Sequence, residues 1–156
     1  MTAEELMARY SMQPHVENGA FVERHYAAQE PGRAASGAIY YYVAAGERTA
    51  FHRIDCDEYW CMIRGEPLEL WQIEPDGELT VSRLGTELGC EPLIYLKKGV
   101  LFASRHCGAG REGAFLACIT VPRFTYEGFQ MLERDEVLRQ YPQTAAFFDE
   151  AEADAK

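Results

Sequence analysis

The residues best equipped for chemistry crowd into positions 46–65, GERTAFHRIDCDEYWCMIRG. His52 and Glu58 stand six positions apart, and Asp55-Cys56-Asp57 between them has the composition of a turn. Two strands joined there would return both side chains to one cavity. An imidazole beside a carboxylate in a partly dry cavity is a tunable acid/base pair. Strand alternation puts Trp60 on the face of Glu58, as a wall on which a flat or sugar-like ligand can stack, and Tyr59 on the opposite face. A phenol to complete proton chemistry is expected from Tyr40 or Tyr42 in the run AIYYYV. Arg24 is a candidate fork for an anionic group, and Phe102 a further candidate for the ligand-binding set.

The elements that must position these groups are short strands. Residues 20–26 alternate, with Phe21 and Glu23 on one face and Val22 and Arg24 on the other. Residues 38–44 are rich in β-branched and aromatic side chains. Residues 68–74 place Leu68, Leu70 and Gln72 opposite Trp71 and Ile73, and Pro75-Asp76-Gly77 then turns the chain into a hairpin. Residues 79–84, 91–96, 101–106 and 114–121 continue the same rhythm, which suits a barrel or double sheet. Ahead of them, Thr2 and Glu5 form a capping box for a short helix to about Tyr10. A loop is expected at 29–37, and helical composition returns at 133–141 and 143–153, interrupted by Pro142.

Composition bounds what this arrangement serves. With 156 residues and 47% apolar content, one domain over 1–156 with a single core is expected. A net charge of −10 with no basic block beyond Lys97-Lys98 predicts no nucleic-acid partner. The start has neither a basic nor an apolar leader region, and no apolar run reaches the ~18 residues of a membrane span, so a soluble cytoplasmic chain without a membrane partner is expected. Five cysteines without a C-x-x-C spacing fit reduced, inert thiols. The run GAGREG at 108–113 matches G-x-G-x-x-G, but a strand follows it instead of a helix, so it reads as a hairpin loop and not a dinucleotide site.

The pattern from Gly46 to Gly65, G-x5-H-x-I-x3-E-x6-G, resembles the first motif of the cupin superfamily, with Ile54 where that motif has a second histidine. FHRIDCDEYW followed by GEPLELWQIEPDG is similar to the small single-domain cupins of unassigned function, cupin type 5. The likeness runs from the leading helix through QPHVENGAFVERHY, AIYYYV, LGTELG and a second motif at 96–102 to VPRFTYEGF. The chain departs from those relatives at Glu17-Asn18-Gly19 in place of an EGG run, at Lys97-Lys98-Gly99-Val100-Leu101 in place of Pro-x-Gly-Val-Trp, and at Arg123 in place of glycine. The resemblance implies an all-β cupin jelly roll, a double-stranded β-helix, with a short N-terminal helix and C-terminal helices.

Metal-holding cupins use three histidines and a glutamate. The resemblance maps those positions onto His52, Ile54, Glu58 and Phe102, of which two are hydrocarbons. The nearest spare imidazole, His106, lies about 13 Å from Phe102 along an extended strand at roughly 3.3 Å per residue. No metal and no cofactor are therefore expected. What remains is a barrel whose cavity binds a small polar or sugar-like molecule through His52, Glu58, Trp60 and nearby aromatics. The alternatives are a metal-free sugar epimerase or isomerase with His52 as base, a residual metal-dependent oxygenase, or a filled barrel in which His52 and Glu58 satisfy each other. Large apolar groups on both faces of 68–74 predict a homodimer formed by sheet packing.

Overall fold

The computed structural model describes residues 2–27 and 32–149. Its first element is α1 (Ala3–Tyr10), started by the predicted reciprocal cap: Thr2 accepts from the Glu5 backbone while the Glu5 side chain accepts from the Thr2 backbone. Eleven strands follow among the described residues: β1 (Gln13–Pro14), β2 (Ala20–Ala27), β3 (Ser36–Val43), β4 (His52–Arg53), β5 (Asp57–Arg64), β6 (Leu68–Ile73), β7 (Leu79–Leu84), β8 (Leu93–Leu96), β9 (Leu101–His106), β10 (Ala114–Val121) and β11 (Gln130–Met131). Two short helices, α2 (Arg134–Gln140) and α3 (Ala145–Phe148), come last. The expected loop at 29–37 and helix at 143–153 each fall partly outside the described residues.

The strands form two antiparallel sheets, ordered β1-β2-β3-β10-β5-β8 and β11-β4-β9-β6-β7. Alternation dictates which side chains meet between them. On β5, Glu58, Trp60 and Met62 are buried while Tyr59, Cys61 and Ile63 are not. The inward rows of both sheets build one core from Tyr41, Trp60, Leu68, Leu70, Phe102 and Leu116. The Pro75-Asp76-Gly77 turn joins β6 and β7 as predicted, with Ile73 opposite Leu79.

Two expectations are corrected here. The 107–113 loop does not close a hairpin: β9 pairs with β4 and β6, β10 pairs with β3 and β5, so the loop crosses between the sheets. The outward apolar face of β6 is covered by the chain's own C-terminal segment. Trp71 and Ile73 pack with Phe51, Leu132, Val137 and Phe147 in a second buried cluster, and Phe147 meets Phe51 and Trp71 edge-on at 4.7 and 5.6 Å. Burial of that face thus needs no second subunit.

Candidate functional site

His52 enters the barrel on β4, opposite Phe102 of β9 and Met131 of β11. Its Nδ1 lies 2.7 Å from Oε2 of Glu17 and 2.9 Å from the Ala50 carbonyl. Both neighbours are acceptors, so Nδ1 carries the hydrogen, and a neutral ring has its lone pair on Nε2. Burial opposes a charge on His52, but the charge and hydrogen bond of Glu17, the Ala50 carbonyl and the charge of Glu58 together outweigh it and hold the imidazole above its ordinary pKa.

Glu17 is delivered by the turn between β1 and β2. Asn18 and Gly19 take φ values of 88° and 78°, which the asparagine tolerates and the glycine adopts freely. A side chain on Gly19 would press against the Tyr42 carbonyl and the Tyr41 ring, so glycine also permits the close approach. The Ala50 N–H donates to the Glu17 carbonyl at 2.9 Å, tying the turn to the strand that carries His52. His15 stands 3.5 Å from the other Glu17 oxygen, and burial pushes its pKa down.

Glu58 is different. It is 8% exposed, and no group among the described residues completes a hydrogen bond to its carboxyl. The buried indole N–H of Trp60, itself without a partner, acts on that carboxyl without completing a bond. Burial drives the Glu58 pKa up to about 7, with His52 pulling it down and Glu17 pushing it further up.

Glu17, His52 and Glu58 share one cavity of about 210 Å³. Thr120, the cross-strand neighbour of Glu58, lines it too, and Phe21, Ile39, Ile54, Phe124 and Phe129 supply apolar walls. Tyr126, Glu23 and Arg123 also line it, with Nε and Nη2 of Arg123 donating to Glu23 at 2.7 to 3.1 Å.

Of the residues singled out from the sequence, the structure brings His52 and Glu58 to this cavity and leaves the other five out of its lining. Trp60 is 1% exposed and packs behind Glu58, edge-on to Tyr41 and Phe102. Phe102 lies under the His52 ring at 4.1 Å. Tyr40 and Tyr42 point to the outer face, where Tyr40 meets Tyr10 and Phe115 and Tyr42 packs on Leu6. The inward phenol of that run is Tyr41, which donates to the Asn18 carbonyl at 2.7 Å. Arg24 sits at a bulge between the paired residues Glu23 and His25, exposed, with its guanidinium 5.3 Å from the Tyr40 ring. Sequence reasoning missed Glu17 and His15, for which an acidic residue just ahead of an Asn-Gly turn was the available signal, and the aromatic segment 124–129.

The comparisons with known proteins agree with this architecture. A family model described as "Cupin superfamily (DUF985)" matches residues 4–132. The chain belongs to the cupin superfamily. Among solved structures, this cupin is similar to a protein from Shewanella oneidensis, with a TM-score of 0.88, 29% identity and 96% of each chain covered. It is also similar to a hypothetical protein from Leishmania major, with a TM-score of 0.83, 26% identity, and 94% of this chain and 96% of that one covered. An oxalate decarboxylase from Bacillus subtilis shares the fold, with a TM-score of 0.61 at 16% identity over 79% of this chain and 31% of that chain. No curated protein matches the sequence.

The donor set does not fit the metal that many cupins hold. Ile54 contributes a hydrocarbon wall and Phe102 a ring against His52. His106 is engaged elsewhere, its Nε2 3.0 Å from the Glu112 carbonyl. Among the described residues no group of three or more His, Cys, Asp or Glu side chains is arranged to hold a metal ion.

Proposed function

We propose that this cupin binds a small polar, sugar-like molecule in the cavity bounded by Glu17, His52 and Glu58. The observation that carries the reading is Glu58: a buried carboxyl facing open volume with no completed hydrogen bond from the described residues. Leaving such a group unpaired costs about 1–3 kcal/mol, and a ligand hydroxyl removes that cost. Aromatic and aliphatic walls beside a few convergent polar groups are the usual make-up of a small-molecule site. The close contact of His52 with Glu17 weighs against the alternative in which His52 and Glu58 satisfy each other.

The contact between Glu17 and His52 favours one chemical elaboration, a metal-free isomerase or epimerase. A carboxylate holding Nδ1–H leaves Nε2 free to take a proton from a carbon beside a carbonyl. Tyr126 is the phenol that lines the cavity, in place of the Tyr40 or Tyr42 expected from the sequence.

The test is a thermal-shift screen of a metabolite panel followed by incubation of each hit in D2O. His52→Asn, whose amide N–H can replace the Nδ1 donor to Glu17, is the diagnostic variant. Ligand-dependent melting in both proteins, with deuterium incorporation only in the wild type, supports binding and proton transfer together. Binding without exchange leaves a binding protein, and a silent panel sinks the reading.

Assembly and location belong to the same proposal. Ile63, Leu93, Tyr95, Ile119 and Val121 are exposed on the outer face of the six-stranded sheet. Register aligns Ile119, Tyr59 and Tyr95 in one row and Ala117, Cys61 and Leu93 in the next, an apolar face three strands wide. A second copy packed on that face makes a homodimer. The five free cysteines and the acidic charge suit a cytoplasmic protein without nucleic-acid partners, and no helix among the described residues is long and apolar enough to cross a membrane.

A further inference from the structure

The cavity's own charges and donors narrow the class of ligand, on the premise that the cavity is a binding site. Carboxylates outnumber guanidinium groups in its lining, with Glu17, Glu23 and Glu58 set against Arg123. Glu17 and Glu58 each present a carboxyl, and Thr120 already uses its hydroxyl oxygen to accept from the Phe124 N–H at 2.9 Å. The interior imidazole is His52, whose Nδ1–H is committed to Glu17 and the Ala50 carbonyl. His15 is held toward its neutral form, first by burial and then by the charge of His52, against the pull of Glu17. Among the described residues Arg123 is the one Lys or Arg side chain in the lining, and three contacts of 2.7 to 3.1 Å bind its fork to Glu23. Its guanidinium also lies 4.2 Å from the Tyr26 ring, a second commitment at the rim.

An anionic ligand would therefore enter a lining with three carboxylates, Glu17, Glu23 and Glu58, whose one guanidinium among the described residues, Arg123, is already paired with Glu23. The desolvation of the incoming charge would go uncompensated, which is the situation buried ions avoid. A ligand rich in O–H or N–H donors meets the opposite situation, because each donor placed on Glu58 or the outward lone pairs of Glu17 completes a charge-assisted hydrogen bond. The walls take its carbon skeleton: Phe21 on β2 faces the cavity from one sheet, and Phe124 and Phe129, 5.8 Å apart, from the segment after β10. We infer that the cavity selects a donor-rich, non-anionic ligand, a neutral or amino sugar or polyol, and discriminates against carboxylates and phosphates of the same size, with Glu58 as the discriminating residue.

Matched triads of one carbon skeleton test this. Glucose, glucosamine and glucuronate, and the corresponding galactose and mannose series, are titrated at pH 8 by calorimetry and thermal shift. Within whichever series binds, the neutral and amino members are expected to bind at least tenfold more tightly than the acid. Glu58→Gln keeps the size of the side chain and removes its charge, so it should close most of that gap by admitting the acid. A uronate or sugar phosphate that binds as tightly as its neutral counterpart overturns the inference. So does a gap left intact in Glu58→Gln. A panel in which simple carboxylic acids alone give a shift would refute the selectivity and leave a binding cavity in place. Silence from every class would remove the binding reading itself.

Discussion

Replacing Glu58 by glutamine should stabilise this protein at alkaline pH and leave it unchanged in acid. The native carboxyl has a pKa of about 7 against an ordinary 4.5, because burial penalises its charged form. At about 1.4 kcal/mol for each tenfold change in proton affinity, a shift of that size amounts to about 3 kcal/mol. Glu58 holds its proton more tightly folded than unfolded, so between these two values the native state binds more protons and stability falls as pH rises. The penalty is absent below the ordinary value and complete above the raised one. Glutamine cannot ionise, so the difference between variant and wild type isolates this group from every other titration. For a chain of 156 residues, about 3 kcal/mol corresponds to a melting point higher by roughly 6–12 °C at pH 8, shrinking to nothing near pH 4.5. Melting curves of both proteins across that range decide it. Parallel curves, with no gain for the glutamine variant at pH 8, would mean that water already solvates the carboxylate, and the unpaired buried acid on which the proposed site rests would be gone.

Three other outcomes are expected. Phe147→Ala should lose about 3–5 kcal/mol, because the ring is fully buried between Phe51 and Trp71; urea unfolding measures this, and a loss below 1 kcal/mol would show that α3 does not hold the outer face of β6. Light scattering at micromolar concentration should give a dimer mass, and Ile119→Lys, at the β10 end of the exposed apolar row that runs through Tyr59 to Tyr95, should convert it to monomer without changing the melting point by more than a few degrees. Purified and dialysed protein should contain Fe, Mn, Ni and Zn well below one per chain, because Ile54 and Phe102 remove two of four ligands; one tightly held ion lost in His52→Asn would overturn this and promote the oxygenase alternative.

The sequence made the strands and their alternation legible because alternation is a local property. Glu58, Trp60 and Met62 share a face whatever the rest of the chain does, and the capping box of α1 is complete within four residues. What is set by register was not legible. In AIYYYV, alternation separates Tyr41 from Tyr40 and Tyr42 but does not say which side faces the barrel; the pairing of Tyr41 with Phe21 and Leu116 decides that. The same limit applies to Trp71 and Ile73, whose cover comes from Phe51 and from the distant C-terminal residues Leu132, Val137 and Phe147. Glu17 was hidden for a third reason. Its role depends on a turn that places it against His52, thirty-five positions on, and the Asn18-Gly19 turn beside it signals a change of direction but not the partner it reaches.

The loop at 108–113 shows how the protein treats a carboxylate that it means to keep for itself. Glu66 accepts from the Gly110 N–H at 2.8 Å and the Glu112 N–H at 3.2 Å, and His106 Nε2 stands 3.6 Å away. Side chains on Gly108 or Gly110 would overlap the Glu66 carboxyl, so the glycine spacing that imitates a phosphate loop serves the close approach of backbone to this internal anion. That loop leads into β10 beside the Arg64 end of β5, and Glu58 lies at the other end of the same strand pair. The two glutamates face opposite conditions. Glu66 is cradled by backbone donors from a loop shaped around it, whereas Glu58, the more buried of the two, is given open volume, an incomplete approach from Trp60 and a raised pKa. A fold that can wrap one carboxylate in donors leaves the other without them, and it is the unwrapped end that opens onto aromatic walls. That asymmetry, more than the identity of any single residue, supports placing the proposed site at the Glu58 end of the barrel.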